Sequence, residues 1–261
     1  MNGRTILEDP LPGVVTGPRL TCMRAFVDND KQSIQNYLNS GLTQLAYHSE
    51  PFTVTKDGVE IVTRVTGRKS GGFEHVAKWR FAADGSIVVE NAVRPFGTIP
   101  KFLPRLGLSL RLKGGLENVR FYGAGPHENY LDRRRSAFLG IWSSTVAGLY
   151  EEYVRPQDNG RRGEIRWVEF KDDDGRGVRF AADAPLSFQA LHCSREDLDN
   201  ARHRVKERRR YQPVPTREDV YLDLDIRETG LGGGSCGPAI IHTYTFDQTA
   251  PVDWKLKITP L

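Results

Sequence analysis

Between Val220 and Ile226 the chain alternates strictly: Val220, Leu222, Leu224 and Ile226 are apolar, and Tyr221, Asp223 and Asp225 stand between them. A period of two residues puts these sets on opposite faces of an extended strand, one face for a core and one for a wetter surface. The same rhythm recurs along most of the sequence, broken by turn dipeptides. Thr53 to Val65 turns at Asp57-Gly58 and His75 to Val93 at Asp84-Gly85, which predicts two hairpins. Leu108 to Leu112, Val119 to Tyr122, Phe138 to Trp142, Glu164 to Phe170, Gly177 to Phe180, Ile240 to Phe246 and Trp254 to Ile258 continue the series, with Asp172 to Gly177 as a further hairpin turn. Helical spacing is confined to two places. In Lys31 to Leu42, Ile34, Tyr37 and Leu38 share a face and Gly41 supplies a stop; a short helix starts at Ser194 with Asp197 as its reciprocal cap. Many short strands and few helices predict an all-β fold, a large antiparallel sandwich. With no internal repeat or linker, the 261 residues read as one domain, 1–261, entered through an irregular Pro- and Gly-rich stretch, 1–20.

Composition removes several function classes. The 37 Lys and Arg residues stand against 33 Asp and Glu, so a net charge of +4 demands no polyanionic partner. The densest basic run, RHRVKERRR from Arg202 to Arg210, has no interleaved aromatics and reads as solvated surface, not as a nucleic-acid site. No stretch approaches the ~20 apolar residues of a membrane span, and Met1 to Arg19 has no apolar run behind a charged leader. Cys22, Cys193 and Cys236 are far apart, which predicts free thiols in a reducing, cytoplasmic setting. The histidines form no HExxH and the cysteines no C-x2-C, so no metal is expected in this chain. Gly232 to Gly237 matches GxGxxG by letter, yet Pro238 and the strand-like Ile240-Ile241 follow where a dinucleotide site needs a helix.

Chemistry is concentrated in FYGAGPHENYLDRRR, Phe121 to Arg135, and YVRPQDNGRRGEIRW, Tyr153 to Trp167. Both place carboxylates, amides and guanidiniums directly after constrained Gly and Pro turns. By residue type Glu128 and Asp158 could form the carboxyl pair that glycoside hydrolysis needs, about 5 to 9 Å apart, a distance that sequence separation does not measure. Arg133, Asn159 and Arg166 are expected to build a buried polar network.

These two stretches resemble the signature of the C-terminal domain of β-galactosidases of glycoside hydrolase family two, where the pattern runs YGxGPxENYxDR and then YxxPxENGxRxxxRW. Arg24-Ala25 with Asp28-Asn29-Asp30 resembles its RAPxDND box, PRLGL at Pro104 to Leu108 fits, and GLGGGSCGP from Gly230 to Pro238 resembles its late glycine-rich loop. The matches keep the family's order from about Arg24 to Tyr244. Phe26-Val27 in the box, Asp158 in place of Glu and Arg161 in place of Asn are departures. The opening strands of the family domain are mostly missing before the box, so the chain reads as beginning inside the domain, with an unpaired sheet edge that either invites self-association or is covered by residues 1–20 folding back. The resemblance implies a supersandwich of the galactose-mutarotase-like type. It also implies a non-catalytic domain or subunit of an enzyme that performs retaining hydrolysis of terminal β-D-galactosides. In the family, the acid/base and nucleophile glutamates, with magnesium and sodium, belong to a (β/α)8 barrel, which would be this chain's partner; no cofactor is implied for this chain itself. Its contribution would be a wall of the substrate pocket, made from Asp28, Asn29, Asp30, His127, Glu128, Asn129, Asn159, Arg166, Ser235 and Cys236. Tyr221, in YLDLD, would be the sugar platform and Lys31 to Asn36 the mobile loop at the pocket mouth. The same residues leave two other readings open: a free-standing carbohydrate-binding module, and a mutarotase-type epimerase with His127 and Glu128 as acid and base.

Overall fold

A computed structural model describes residues 7–8, 18–67, 71–205 and 214–261. Its alternating segments pair into one antiparallel sheet. In chain order the strands are β1 (Leu7–Glu8), β2 (Arg19–Thr21), β3 (Ala46–Ser49), β4 (Thr53–Thr55), β5 (Gly58–Thr66), β6 (Gly72–Phe81), β7 (Ile87–Phe96), β8 (Arg105–Leu112), β9 (Asn118–Gly125), β10 (Phe138–Thr145), β11 (Arg162–Lys171), β12 (Gly177–Leu191), β13 (Val220–Glu228) and β14 (Val252–Pro260). The helices are α1 (Ile34–Ser40), preceded by a 3₁₀ turn at Asp28–Gln32, α2 (Val146–Leu149) and α3 (Arg195–Val205). The main path runs β1-β8-β13-β12-β14-β7-β6-β5-β3. A branch, β11-β9-β10, leaves it at β12.

The branch exists because β12 is long. Its first half, Val178 to Ala182, pairs with β14, and its second, Ser187 to Leu191, pairs with β13. Its other edge carries β11. The sheet therefore curls, and the face turned inward is the apolar one. Leu108, Leu110 and Leu112 of β8, Val220, Leu222 and Leu224 of β13, and Leu256 and Ile258 of β14 are all buried in one core cluster. Phe188 is packed edge-on by Phe121 at 5.3 Å and Phe170 at 6.4 Å between ring centroids. Each such side chain contributes about 1.5–3 kcal/mol on full burial.

The hairpins at Asp57-Gly58 and Asp84-Gly85 form, and Gly85 takes the left-handed backbone its turn requires (φ 79°). Helix α1 stops at Gly41 (φ 74°), as its sequence predicts. The reciprocal cap is also present: Asp197 N–H donates to Ser194 Oγ at 3.1 Å, and Ser194 N–H donates to Asp197 Oδ2 at 2.9 Å. One expected strand does not form. Ile240 to Phe246 runs irregularly through a 3₁₀ turn at His242–Tyr244. Gly230 N–H donates to Tyr244 O within the run, and Gly233 N–H donates to Pro238 O just before it, which ties the run to the glycine-rich loop. The irregular entry expected over 1–20 lies mostly outside the described residues; Leu7–Glu8 and Arg19–Thr21 both pair with β8. The basic run at 202–210 also lies mostly outside them. Among the described residues β10 pairs with β9 alone, and Phe138, Leu139 and Ile141 are exposed. Among the described residues no helix is long and apolar enough to cross a membrane.

Candidate functional site

Four stretches far apart in sequence meet beside the end of β9 and the start of β11. They are the turn Asp28-Asn29-Asp30, the loop 126–136, the loop 150–161 and the glycine-rich loop 230–238. Asn29 joins the first to the last. Its amide donates to Gly232 O at 2.6 Å and its Oδ1 accepts from Ser235 N–H at 3.0 Å. Asp132 accepts from the N–H groups of Leu231 at 2.9 Å and Gly232 at 2.7 Å, while Arg133 donates to Gly232 O at 3.0 Å. The loop 150–161 reaches the first turn through Arg155, which donates to Asp28 at 2.7 Å, and Gln157, which accepts from Asp28 N–H at 3.3 Å. Backbones approach so closely that a side chain will not fit: a Cβ on Gly230 would lie 2.5 Å from Asp132 Cγ, and one on Gly234 2.6 Å from Asn29 O. Asp132→Ala strands two amide donors, at about 1–3 kcal/mol for each that stays buried and unpaired. Hydrogen exchange should accelerate in 230–238 while the core strands keep their protection. Unchanged exchange in that loop would contradict the tether.

Beneath the loops lies a set of buried charges. Arg161, 2% exposed, donates to Asp225 and lies 3.9 Å from Asp158 and 4.0 Å from Glu228. Arg105 donates to Asp223 at 2.5 Å and sits 3.5 Å from Asp225; Arg24 bonds Asp30 at 3.0 Å. Burial works against the charge on Arg161, but Asp225, Asp158 and Glu228 outweigh it and hold the guanidinium well above its ordinary pKa. Burial also raises the carboxyls of Asp225 and Glu228, against the pull of Arg161.

Arg166, expected in a buried network, is not part of it. It is half-exposed, and among the described residues its hydrogen bond and ion pair go to Glu164. Glu164 has a left-handed backbone (φ 56°), and the pairing of β11 with β12 shifts on both sides of Ile165. These irregularities leave Arg161 and Arg162 pointing inward and Arg166 outward. Arg133 is exposed as well, so of the expected trio only Asn159 is buried. Asp30, Asn129 and Asn159, expected against sugar, are braces inside the protein. Asn129 donates to Ala124 O and His127 O and accepts from Gly163 N–H; Asn159 accepts from Glu151 N–H and donates to Gln157 O.

The side chains left facing solvent are Asp28, Asn29, His127, Glu128, Ser235 and Cys236. Glu128 is the most chemically distinctive of them. Gly160 N–H donates to its Oε2 at 2.6 Å and the Tyr153 hydroxyl donates to its Oε1. Burial raises its pKa, against these two hydrogen bonds. His127 meets Ser136 Oγ at 3.0 Å, not Glu128. Asp158 is buried and accepts from Tyr130 at 3.0 Å and Gln189 at 2.9 Å, so Glu128 and Asp158 do not form a solvent-facing carboxyl pair. Tyr221 lies apart from the cluster, in a cleft of about 490 Å³ that none of the other expected site residues lines. Lys31 to Asn36 spans the end of the 3₁₀ turn and the start of α1. Asp132, Tyr153 and Arg155 were not among the expected pocket residues, although all three fall within the two motif stretches. Among the described residues no group of three or more His, Cys, Asp or Glu side chains is placed to hold a metal ion.

Comparison with known proteins identifies the family. The profile of the beta galactosidase small chain family matches residues 1–258. Beta-galactosidase BgaC of Bifidobacterium adolescentis is 34% identical over 189 residues, covering 69% of this chain and 17% of that protein. The beta-galactosidase of Vibrio cholerae is 28% identical over 256 residues, covering 92% and 23%. In structure, a GalM/aldose epimerase homologue from C. elegans aligns over 85% of this chain and 70% of its own, with a TM-score of 0.46 and 8% identity. The chain spans only 15% to 24% of the length of the curated relatives it matches. It belongs to the beta galactosidase small chain family.

Proposed function

We propose that this chain forms one wall of a galactoside pocket in a β-galactosidase whose reacting carboxylates lie on a further segment or subunit. The observation that carries this reading is the tethering of four distant loops into one rim, with Asn29 bonded to both Gly232 and Ser235. Asp28, Asn29, Glu128 and Ser235 offer that rim carboxylate, amide and hydroxyl groups suited to sugar hydroxyls. The wall positions a terminal β-D-galactoside, and retaining hydrolysis is carried out by the partner. Magnesium and sodium, where the family reaction uses them, act there and not through the groups of this rim. The epimerase reading is weaker, because His127 and Glu128 take separate partners and form no acid–base pair.

The test is kinetic. In the assembled enzyme, Glu128→Gln should raise KM for a nitrophenyl β-galactoside roughly five- to tenfold, about 1–1.4 kcal/mol, with a much smaller change in kcat. An unchanged KM would remove Glu128 from the pocket wall. The variant also has a pH signature. Because burial raises the folded-state pKa of Glu128, its favourable contribution is complete below the ordinary carboxylate range and is lost as pH rises through the folded value. Glu128→Gln should therefore flatten that part of the dependence of the thermal midpoint on pH.

A further inference from the structure

Edge strands of a sheet are ordinarily blunted by shortness, charge or proline, because their open backbone groups pair with any strand that meets them. The two ends of the main path follow that rule: β1 is two residues long, and β3 is four and runs into Glu50 and Pro51. The end of the branch does not. Strand β10 is eight residues long and reads FLGIWSST, with no charge and no proline. Among the described residues its ladder partner is β9 alone, from Phe138 against Gly125 to Thr145 against Asn118. Both of its faces are apolar toward the Phe138 end. Leu139 and Ile141 point outward, 54% and 55% exposed, while Phe138, 68% exposed, shares the other face with Trp142.

The outer face beside β10 is uncharged as well. Ile141 stands against Tyr122 of β9, Tyr122 against Trp167 of β11, and Trp167 against Ala181 of β12. Farther along the same face, over β14, β7, β6 and β5, ion pairs take over, Lys255 with Glu90 at 3.1 Å and Lys78 with Glu60 at 3.0 Å, as on a solvated surface. The pattern on β10 says what fits its edge. When two copies of one strand pair antiparallel about a two-fold axis normal to the sheet, their faces stay aligned, so only residues of like parity meet. Pairing about Gly140 sets Phe138 against Trp142 of the second copy, Leu139 against its Ile141, and Gly140 against itself. Aromatic then meets aromatic and aliphatic meets aliphatic. Glycine suits the centre because the Trp142 ring already covers it: a Cβ on Gly140 would lie 3.2 Å from that ring. Charge agrees too. Continued outward, Ser136 meets Ser144 and Arg135 meets Thr145, so no like charges face each other. Pairing about Ile141 would instead set Leu139 against Ser143, and pairing about Leu139 would set Trp142 against Ser136.

We propose that β10 is a homotypic docking edge, at which a second copy of this chain pairs antiparallel about Gly140 and joins the two sheets into one. The inference is independent of the galactoside reading, since β10 contributes no residue to the rim. The test is sedimentation velocity of the purified full chain over a range of concentrations, with two double variants at the exposed positions. The wild type should show a monomer–dimer equilibrium. Leu139→Lys with Ile141→Lys sets like charges opposite each other at two places and should raise the dissociation constant roughly tenfold or more. Leu139→Glu with Ile141→Lys sets opposite charges against each other at the same two places and should keep the dimer. Both side chains are exposed, so the variants should retain the wild-type circular dichroism spectrum. Amide exchange across 138–145, slower in the wild type at high concentration than at low, decides the matter if a variant does not fold. A chain that stays monomeric, a dimer indifferent to both variants or lost in both, open-ended assembly in place of a closed pair, or protection of 138–145 that arises only against a different polypeptide would overturn the proposal.

Discussion

Arg161→Ala should cost roughly 3–5 kcal/mol of stability, the range for removing one partner from a buried ion pair. Asp225 and Asp158 are each no more than 2% exposed, and Glu228 is also held close, so the truncation leaves carboxylates together with the cation gone. The carboxyls of Asp225 and Glu228, already raised by burial, would lose the guanidinium that opposes that rise. Arg105 compensates in part, since it lies 3.5 Å from Asp225, but it already serves Asp223. The measurement is a denaturant midpoint at constant slope. Arg166→Ala provides the contrast: on the half-exposed side of β11 and bonded to Glu164, it should stay within about 0.5 kcal/mol of the wild type. Equal losses at the two positions would mean that the buried cluster does not carry the load assigned to it.

The purified chain alone should release no nitrophenol from a nitrophenyl β-galactoside, whereas the proposed assembled enzyme should turn it over. Hydrolysis with retention needs two carboxyl groups about 5–5.5 Å apart on either side of the scissile bond. Glu128 faces solvent with a raised pKa, which would suit an acid, but Asp158 is buried beneath Tyr130 and Gln189. General acid assistance contributes roughly 10²- to 10⁴-fold, and only when a nucleophile or activated water completes the reaction. Sustained turnover by the isolated chain that survives repurification and vanishes in Glu128→Gln would place the chemistry in this chain and overturn the assignment.

The fold was largely legible because its signals are local. Alternation marks β13, Asp-Gly pairs mark the hairpins, and a reciprocal Ser-Asp cap marks α3. The rim was legible in outline, because its loops are the motif-bearing stretches. Which side chains face inward was not. The backbone irregularity at Glu164 reverses the outlook of the arginines around it, and no periodicity announces a left-handed glutamate. The β-branched pair Ile240-Ile241 has strand character, but its neighbours' carbonyl groups are claimed by Gly230 and Gly233, a contact between distant segments. Tyr221 stands at the start of β13, while the rim's glycine-rich loop follows the far end of that strand, so sharing a motif family did not place it in the same site.

The paired guanidiniums also govern how this polypeptide could be divided. Arg105 comes from β8 and Arg161 from the approach to β11, and both converge on Asp225 of β13. A backbone break between residues 105 and 225 therefore parts at least one of these cations from its counter-ion, and each fragment would have to keep that group hydrated where the intact protein excludes water. Split-protein reporters, whose fragments must exist apart before they meet, should therefore succeed best with the cut placed before β8 or after β13.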